Sequence, residues 1–273
     1  MPYTQTDPRI AYADDGEGRP VVLIHGWPLS HRMWEYQVGP LTDAGYRCVA
    51  YDRRGFGASD TPSAGYDYDT LTADLAALID ELDLRDVTLV GFSMGGGEVA
   101  RYLANHGSDR IAQAVLAAAV TPSLAESDDN PKGVPAEALE GFGAALREDR
   151  IGFLDGFTRA FFGVGPEGDP DVISEPLLRH FVDIASWAGP RATAACAEAF
   201  GGTDFTADMA AFDVPTLIVH GDADQTVPYE ATARRAAEMV PDARLEIVDG
   251  APHGLTYTHR QRFNELLLGF LAS

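Results

Sequence analysis

The sequence predicts an α/β fold built on a mostly parallel sheet, and three observations carry that prediction. Short β-rich runs alternate with helical runs along most of the 273 residues. Several of the β-rich runs are apolar from end to end, as strands buried on both faces must be. One glycine-flanked serine sits where such a run gives way to a helical one. A chain of this length suits one large α/β domain as well as two. With 45% hydrophobic residues it can fill a sizeable core.

Strands are expected at residues 9–13, 21–25, 47–52, 87–92, 114–120, 216–220 and 245–248. Between the third and fourth, residues 69–82 place Leu71, Leu75, Leu78, Ile79 and Leu82 at helical spacing. A helix over 95–106 opens directly after the serine. Helices over 229–239 and 260–271 close the chain. The interval 121–210 breaks the alternation. It opens with Pro122, Ser127, Asp128, Asp129, Asn130 and Pro131, and continues as helical segments rich in aromatics. We read it as a helical cap inserted into a core made of residues 1–120 and 211–273.

Composition excludes several functions. The formal net charge is -22, and Lys132 is the single lysine among 20 basic residues. Such a surface repels nucleic acid and anionic membranes, so neither is an expected partner. It also suits high salt, where screening removes the self-repulsion. No run approaches the ~18 apolar residues that a membrane span needs. The first residues carry neither a basic nor an apolar signal region, so a cytoplasmic protein is expected. Cys48 and Cys196 stand alone, in a strand-like and a helical run, and read as packed thiols.

The chemistry is concentrated in a few short motifs. Gly91-Phe92-Ser93-Met94-Gly95 fits a G-x-S-x-G nucleophile elbow, and its context supports it, because an apolar strand precedes it and a helix follows. A turn this sharp needs small neighbours and lifts the Ser93 hydroxyl clear of the sheet. It also aims the N–H of Met94 at a developing oxyanion. A serine needs a base. With the order serine, acid, histidine, the base is His253 in the loop after the last strand; His259, which opens the last helix, is the other candidate. The acid belongs in Gly221-Asp222-Ala223-Asp224. Asp222 suits a turn-stabilising role directly after the strand, and Asp224 extends far enough to reach the His253 loop. In His25-Gly26-Trp27-Pro28 the natural second oxyanion donor is the N–H of Trp27, because Pro28 has none. His25 is read as holding that loop and His220 as a packed or hydrogen-bonded core histidine. Trp27, Pro28, Phe142, Phe157, Phe161, Phe162 and Val227 are the candidate walls of an apolar acyl site.

These motifs, with Asp52-Arg53-Arg54-Gly55-Phe56-Gly57-Ala58-Ser59, Gly96-Gly97-Glu98 and Ala251-Pro252-His253-Gly254, fall in a familiar order. Together they resemble the cofactor-free bacterial haloperoxidase and arylesterase branch of the α/β hydrolases, from about Val21 to the C-terminus and least in the cap. The resemblance implies an α/β-hydrolase fold, no cofactor, no metal, and a Ser93 acylated by a carboxylic ester or acid. Water would then release the acid and hydrogen peroxide a peracid, which oxidises halide in free solution. Pro28 after the oxyanion tryptophan resembles members with good perhydrolase activity. A carboxylate at the elbow, as in haloalkane dehalogenases and epoxide hydrolases, is absent. The expected partners are a small ester or acid and hydrogen peroxide, and the sequence is compatible with a homo-oligomer. A second class stays open: a binding protein that retains the fold and uses the pocket for a ligand without chemistry.

Overall fold

Seven strands form one sheet in the order β1-β3-β2-β4-β5-β6-β7. They are β1 (Tyr12–Asp15), β2 (Arg19–Ile24), β3 (Tyr46–Tyr51), β4 (Val87–Phe92), β5 (Ile111–Ala117), β6 (Thr216–Gly221) and β7 (Arg244–Val248). The structure is a computed structural model that describes residues 1–165, 167–169 and 171–273. Only β1 runs antiparallel, against β3 at the edge. Every residue of β4 and β6 is buried, as their apolar sequences require of strands covered on both faces.

The strand order reverses between β2 and β4, which lie side by side with Ile24 paired to Gly91. A reversal of this kind opens a crevice at the carboxyl ends of the strands, where α/β sheets bind their ligands. The loops leaving β2, β4, β6 and β7 all emerge on that edge.

Helices cover both faces. They are α1 (Glu35–Asp43), α2 (Tyr68–Glu81), α3 (Met94–His106), α4 (Ala136–Glu148), α5 (Arg150–Phe161), α6 (Glu175–Ser186), α7 (Pro190–Gly202), α8 (Ala233–Met239), α9 (Leu255–Thr258) and α10 (Arg260–Leu271). In α2 the expected apolar stripe is buried, and Asp67 caps the first turn through the Thr70 amide at 2.9 Å. Between β5 and β6 the described residues hold no strand, only α4 to α7, a short 3-10 turn and loops.

Some boundaries moved for local reasons. The first strand starts at Tyr12 and not at residue 9, because the Arg9 amide bonds the Asp60 carboxylate and the Ala11 amide bonds Ser59 Oγ at 2.8 Å. β5 ends at Ala117, since Ala118 turns with φ of 44°. α8 starts at Ala233 and not at 229. Residues 228–232 form a turn that Thr232 Oγ1 closes on the Pro228 carbonyl at 2.8 Å. Both cysteines are free and buried. Among the described residues no helix is long and apolar enough to cross a membrane.

Candidate active site

β4 ends at Phe92 and α3 begins at Met94, so Ser93 makes the turn alone, with φ of 54° and ψ of −117°. Such a conformation costs a non-glycine residue about 1–3 kcal/mol and persists only where its surroundings impose it. Here they do. The Ser93 N–H donates to Ala117 O at 2.8 Å, and its carbonyl accepts from Gly96 at 3.0 Å. A Cβ at residue 91 would strike the Gly95 carbonyl, and one at residue 95 would stand 2.5 Å from the Ile24 carbonyl. Glycine is therefore required on both sides of the serine.

The structure brings His253, from the loop after β7, to the elbow. Its Nε2 lies 3.0 Å from Ser93 Oγ, and its Nδ1 lies 2.7 Å from Asp224 Oδ2. All three residues are buried. The imidazole is held by two aromatic rings, Phe161 at 5.0 Å edge-on and Phe92 at 5.1 Å. Asp222 is turned elsewhere: its carboxylate accepts from the Gly250 amide at 2.7 Å and ties the two loops together. His259 bonds its neighbour Thr258.

Asp224 is held on both oxygens. Oδ1 accepts from the amides of Thr226 at 2.9 Å and Val227 at 2.8 Å, and Oδ2 faces His253 and also His220 Nε2 at 3.0 Å. Burial alone would raise its pKa. The nearby His253 and the hydrogen bond from His220 outweigh burial, so the carboxyl lies well below the ordinary carboxylate range. His220 is buried and hydrogen-bonded, as expected of a core histidine there, but nothing local in the sequence signals that its partner is the carboxylate four residues on.

The opposite side of the crevice is the loop after β2. The Trp27 N–H has no backbone partner among the described residues. Met94 opens α3, where first-turn amides have no intrahelical acceptor. The loop is anchored at three points. Trp27 Nε1 donates to Thr193 O on α7 at 2.9 Å. The Arg53 amide donates to His25 Nε2 at 3.0 Å, and Arg53 Nη2 donates to the His25 carbonyl at 2.7 Å. Burial and the adjacent Arg53 charge push the His25 imidazole down to about 3. Arg53 in turn is paired with Glu98 on α3, and Tyr51 Oη donates to the same carboxylate at 2.6 Å.

Above Ser93 lies a cavity of about 270 Å³, apolar except at its Gln225–Thr226 edge. Trp27, Phe142, Phe157 and Val227 line it, as the sequence led us to expect, joined by Leu139 and Phe200. Three expected walls are elsewhere. Phe161 lies one turn beyond Phe157 on α5 and packs on His253. Phe162 is enclosed by Phe161, Phe181 and Tyr257. Pro28 is buried behind Trp27, in the turn closed by Leu29 N on Gly26 O at 3.0 Å. The reason is the helical face: Phe157 and Ala160 of α5 turn toward the cavity, Phe161 turns to His253, and Phe162, just past the helix end, turns to Phe181 and Tyr257. A second apolar groove, of about 380 Å³ between α4 and α7, shares Leu139, Phe142 and Phe200 as a common wall.

Known proteins are similar to this chain along nearly its whole length. A family model described as the alpha/beta hydrolase fold matches residues 19–259. The chain is 43% identical to a non-heme chloroperoxidase of Kitasatospora aureofaciens, with 98% of each chain covered. It is 37% identical to a bifunctional esterase/perhydrolase of Acinetobacter calcoaceticus, covering 97% of this chain and 96% of that one. The crystal structure of a bromoperoxidase from Bacillus anthracis superimposes with a TM-score of 0.96 at 49% identity, covering 100% of this chain and 99% of that one. Fold, element order and identity over the full length agree, and the chain belongs to the non-heme haloperoxidase branch of the α/β-hydrolase fold family.

Proposed function

We propose that the protein is a serine carboxylesterase or arylesterase that works through an acyl-enzyme on Ser93, with hydrogen peroxide as an alternative acyl acceptor. One observation carries the reading: a buried imidazole bridges Ser93 Oγ and Asp224 Oδ2 beneath an apolar cavity. Ser93 Oγ attacks the ester carbonyl carbon while its proton passes to His253 Nε2. Asp224 holds the imidazole in the required tautomer and stabilises its cation. The tetrahedral oxyanion takes hydrogen bonds from the Trp27 and Met94 amides. Collapse expels the alcohol, which recovers the proton from His253. Water, deprotonated by His253, then releases the acid; peroxide attacks in the same way and releases a peracid. In solution the peracid gives one oxygen to halide and returns as the acid.

The cavity favours small apolar or aryl esters, because it offers aromatic walls and few polar groups. Helices α4 to α7 serve as the cap that closes it. The names of the relatives support both activities, since one is an esterase/perhydrolase and one a chloroperoxidase.

The test is covalent. An aryl ester should give a burst of one chromophore per active chain, and a sulfonyl fluoride should label the peptide containing Ser93. Ser93→Ala should remain folded and lose at least ~10³-fold in kcat. A label on another serine, or near-normal turnover by Ser93→Ala, ends the proposal.

A further inference from the structure

Asp224 is held by two histidines, and the proposed reaction uses one of them. The other, His220, closes the apolar strand β6 and is fully buried. Its Nε2 lies 3.0 Å from Asp224 Oδ2 and 2.9 Å from the Val227 carbonyl oxygen. Both neighbours are acceptors, so Nε2 carries the hydrogen and shares it between them. Its Nδ1 is buried with no hydrogen-bond partner among the described residues. Leaving a polar nitrogen unpaired in a core costs stability, and a leucine would fill the same space without that cost. Packing alone therefore does not explain a histidine here; its Nε2–H does.

The two bonds of Nε2 have different ends. Val227 lines the cavity above Ser93, and its amide already donates to Asp224 Oδ1. His220 thus closes a ring that joins β6, the acid and the cavity wall. The amides of Thr226 and Val227 fix Oδ1, but they leave Oδ2 free to swing as the carboxylate twists. Oδ2 is the oxygen that must meet His253 Nδ1.

We propose that His220 is a positioning residue for the catalytic acid: its Nε2–H aims Asp224 Oδ2 at the Nδ1–H of His253 and locks the 224–227 loop onto β6. The proposal rests on the reading of Ser93, His253 and Asp224 as the reacting triad. It separates from a packing role by what each replacement can donate. The side-chain amide of glutamine reaches close to the place of Nε2; asparagine carries the same amide but falls short; leucine fills the volume and donates nothing.

The experiment measures kcat and KM for aryl acetate hydrolysis by the full chain carrying His220→Gln, His220→Asn or His220→Leu, with melting temperatures and with Ser93→Ala alongside. His220→Leu and His220→Asn should lose about tenfold or more in kcat, the worth of one hydrogen bond to a charged acceptor, with KM within about twofold. His220→Gln should recover most of the lost kcat. Wild-type kcat in folded His220→Leu, or a Gln variant no better than Asn, overturns the proposal. If the Leu variant does not fold, the Gln and Asn pair decides by the same criterion. An inactive Ser93→Ala beside an unimpaired His220→Leu rejects the role of His220 alone; an active Ser93→Ala rejects the triad, and the proposal with it.

Discussion

Replacing Glu98 should damage stability and catalysis together, and the structure sets the size of both effects. The Glu98 carboxylate is fully buried and accepts from Arg53 Nε at 2.7 Å, from Arg53 Nη2 and from Tyr51 Oη at 2.6 Å. Glu98→Gln keeps the shape and removes the charge. The Arg53 guanidinium, itself 1% exposed, is then left without a counter-charge in the core. Breaking one side of a buried pair costs about 3–5 kcal/mol, against a total stability of about 5–15 kcal/mol. The catalytic effect follows from what else Arg53 holds. Its Nη2 binds the His25 carbonyl and its amide binds the His25 ring, two residues before the proposed oxyanion donor. A complete loss of one such donor lowers kcat by about 10²–10³, so a displaced loop should lower it by up to that amount. Urea unfolding followed by tryptophan fluorescence, together with kcat under native conditions, measures both. The double replacement Arg53→Met with Glu98→Leu sharpens the test. It removes both charges and should regain much of the stability. It cannot regain kcat in full, because the guanidinium bond to the His25 carbonyl is gone and only the backbone amide of residue 53 still holds the His25 ring. A Glu98→Gln loss below about 1 kcal/mol would falsify the buried-pair argument, and unchanged kcat in the destabilised variant would sever the link to the loop.

Three further predictions rest on separate observations. With its folded pKa lowered to about 3, His25 refuses a proton that the unfolded chain accepts near pH 6.5. Its contribution is complete above that pH and declines at about 1.4 kcal/mol per unit as pH falls toward 3. Urea midpoints at pH 7, 6 and 5 should show the slope, and His25→Gln should flatten it; equal midpoints in the wild type refute it. With a net charge of -22, the melting temperature should climb between ~0.01 M and ~1 M salt, as the Debye length shrinks from about 30 Å to about 3 Å; a flat or falling curve returns the surface to an ordinary acidic one. Although Pro28 is not among the residues lining the cavity, Pro28→Leu should lower the ratio of peracid formation to ester hydrolysis several-fold, because the fixed φ of proline sets the backbone beside the Trp27 donor and so where the following carbonyl points; a hydrogen bond of ~1 kcal/mol to the second O–H of peroxide is at stake. An unchanged ratio removes Pro28 from acceptor choice.

What the sequence shows and what it hides divide along a physical line. The elbow is legible because its requirement is local: one strained serine dictates the glycines two positions to either side. The sheet is legible because strands buried on both faces carry unbroken apolar runs. Asp224 is legible because the loop geometry after β6 is short and its order along the chain is fixed. Glu98 is harder, since a carboxylate on a helix ordinarily faces solvent. Its buried place shows only when Arg53, 45 residues away in sequence, is brought against it. His220 is hidden for the same reason, for its strand gives no sign that the ring meets the loop it leads into. The aromatics between β5 and β6 are half legible. Their abundance announces an apolar site, but the direction in which α5 crosses the crevice decides that Phe157 faces the cavity while Phe161 packs on His253.

That crossing has a consequence for how the two parts of the chain depend on each other. The interval between β5 and β6 does more than roof the cavity. The Phe161 carbonyl at the end of α5 accepts from the Gly254 amide at 2.8 Å, next to His253, and the Thr193 carbonyl on α7 accepts from the Trp27 indole beside the proposed oxyanion donor. Each half of the proposed machinery is thus tied by a hydrogen bond to a different helix of the interval. The wall that separates the cavity from the outer groove is formed by Phe142 of α4 and Phe200 of α7, and Phe142 packs on Phe157 of α5 at 5.8 Å. A change in that wall, made to admit a longer ester, shifts helices that position the donor on one side and the imidazole on the other. Acyl-chain preference and turnover are therefore coupled through α5 and α7, and variation in the interval tunes both at once without touching Ser93, Asp224 or His253.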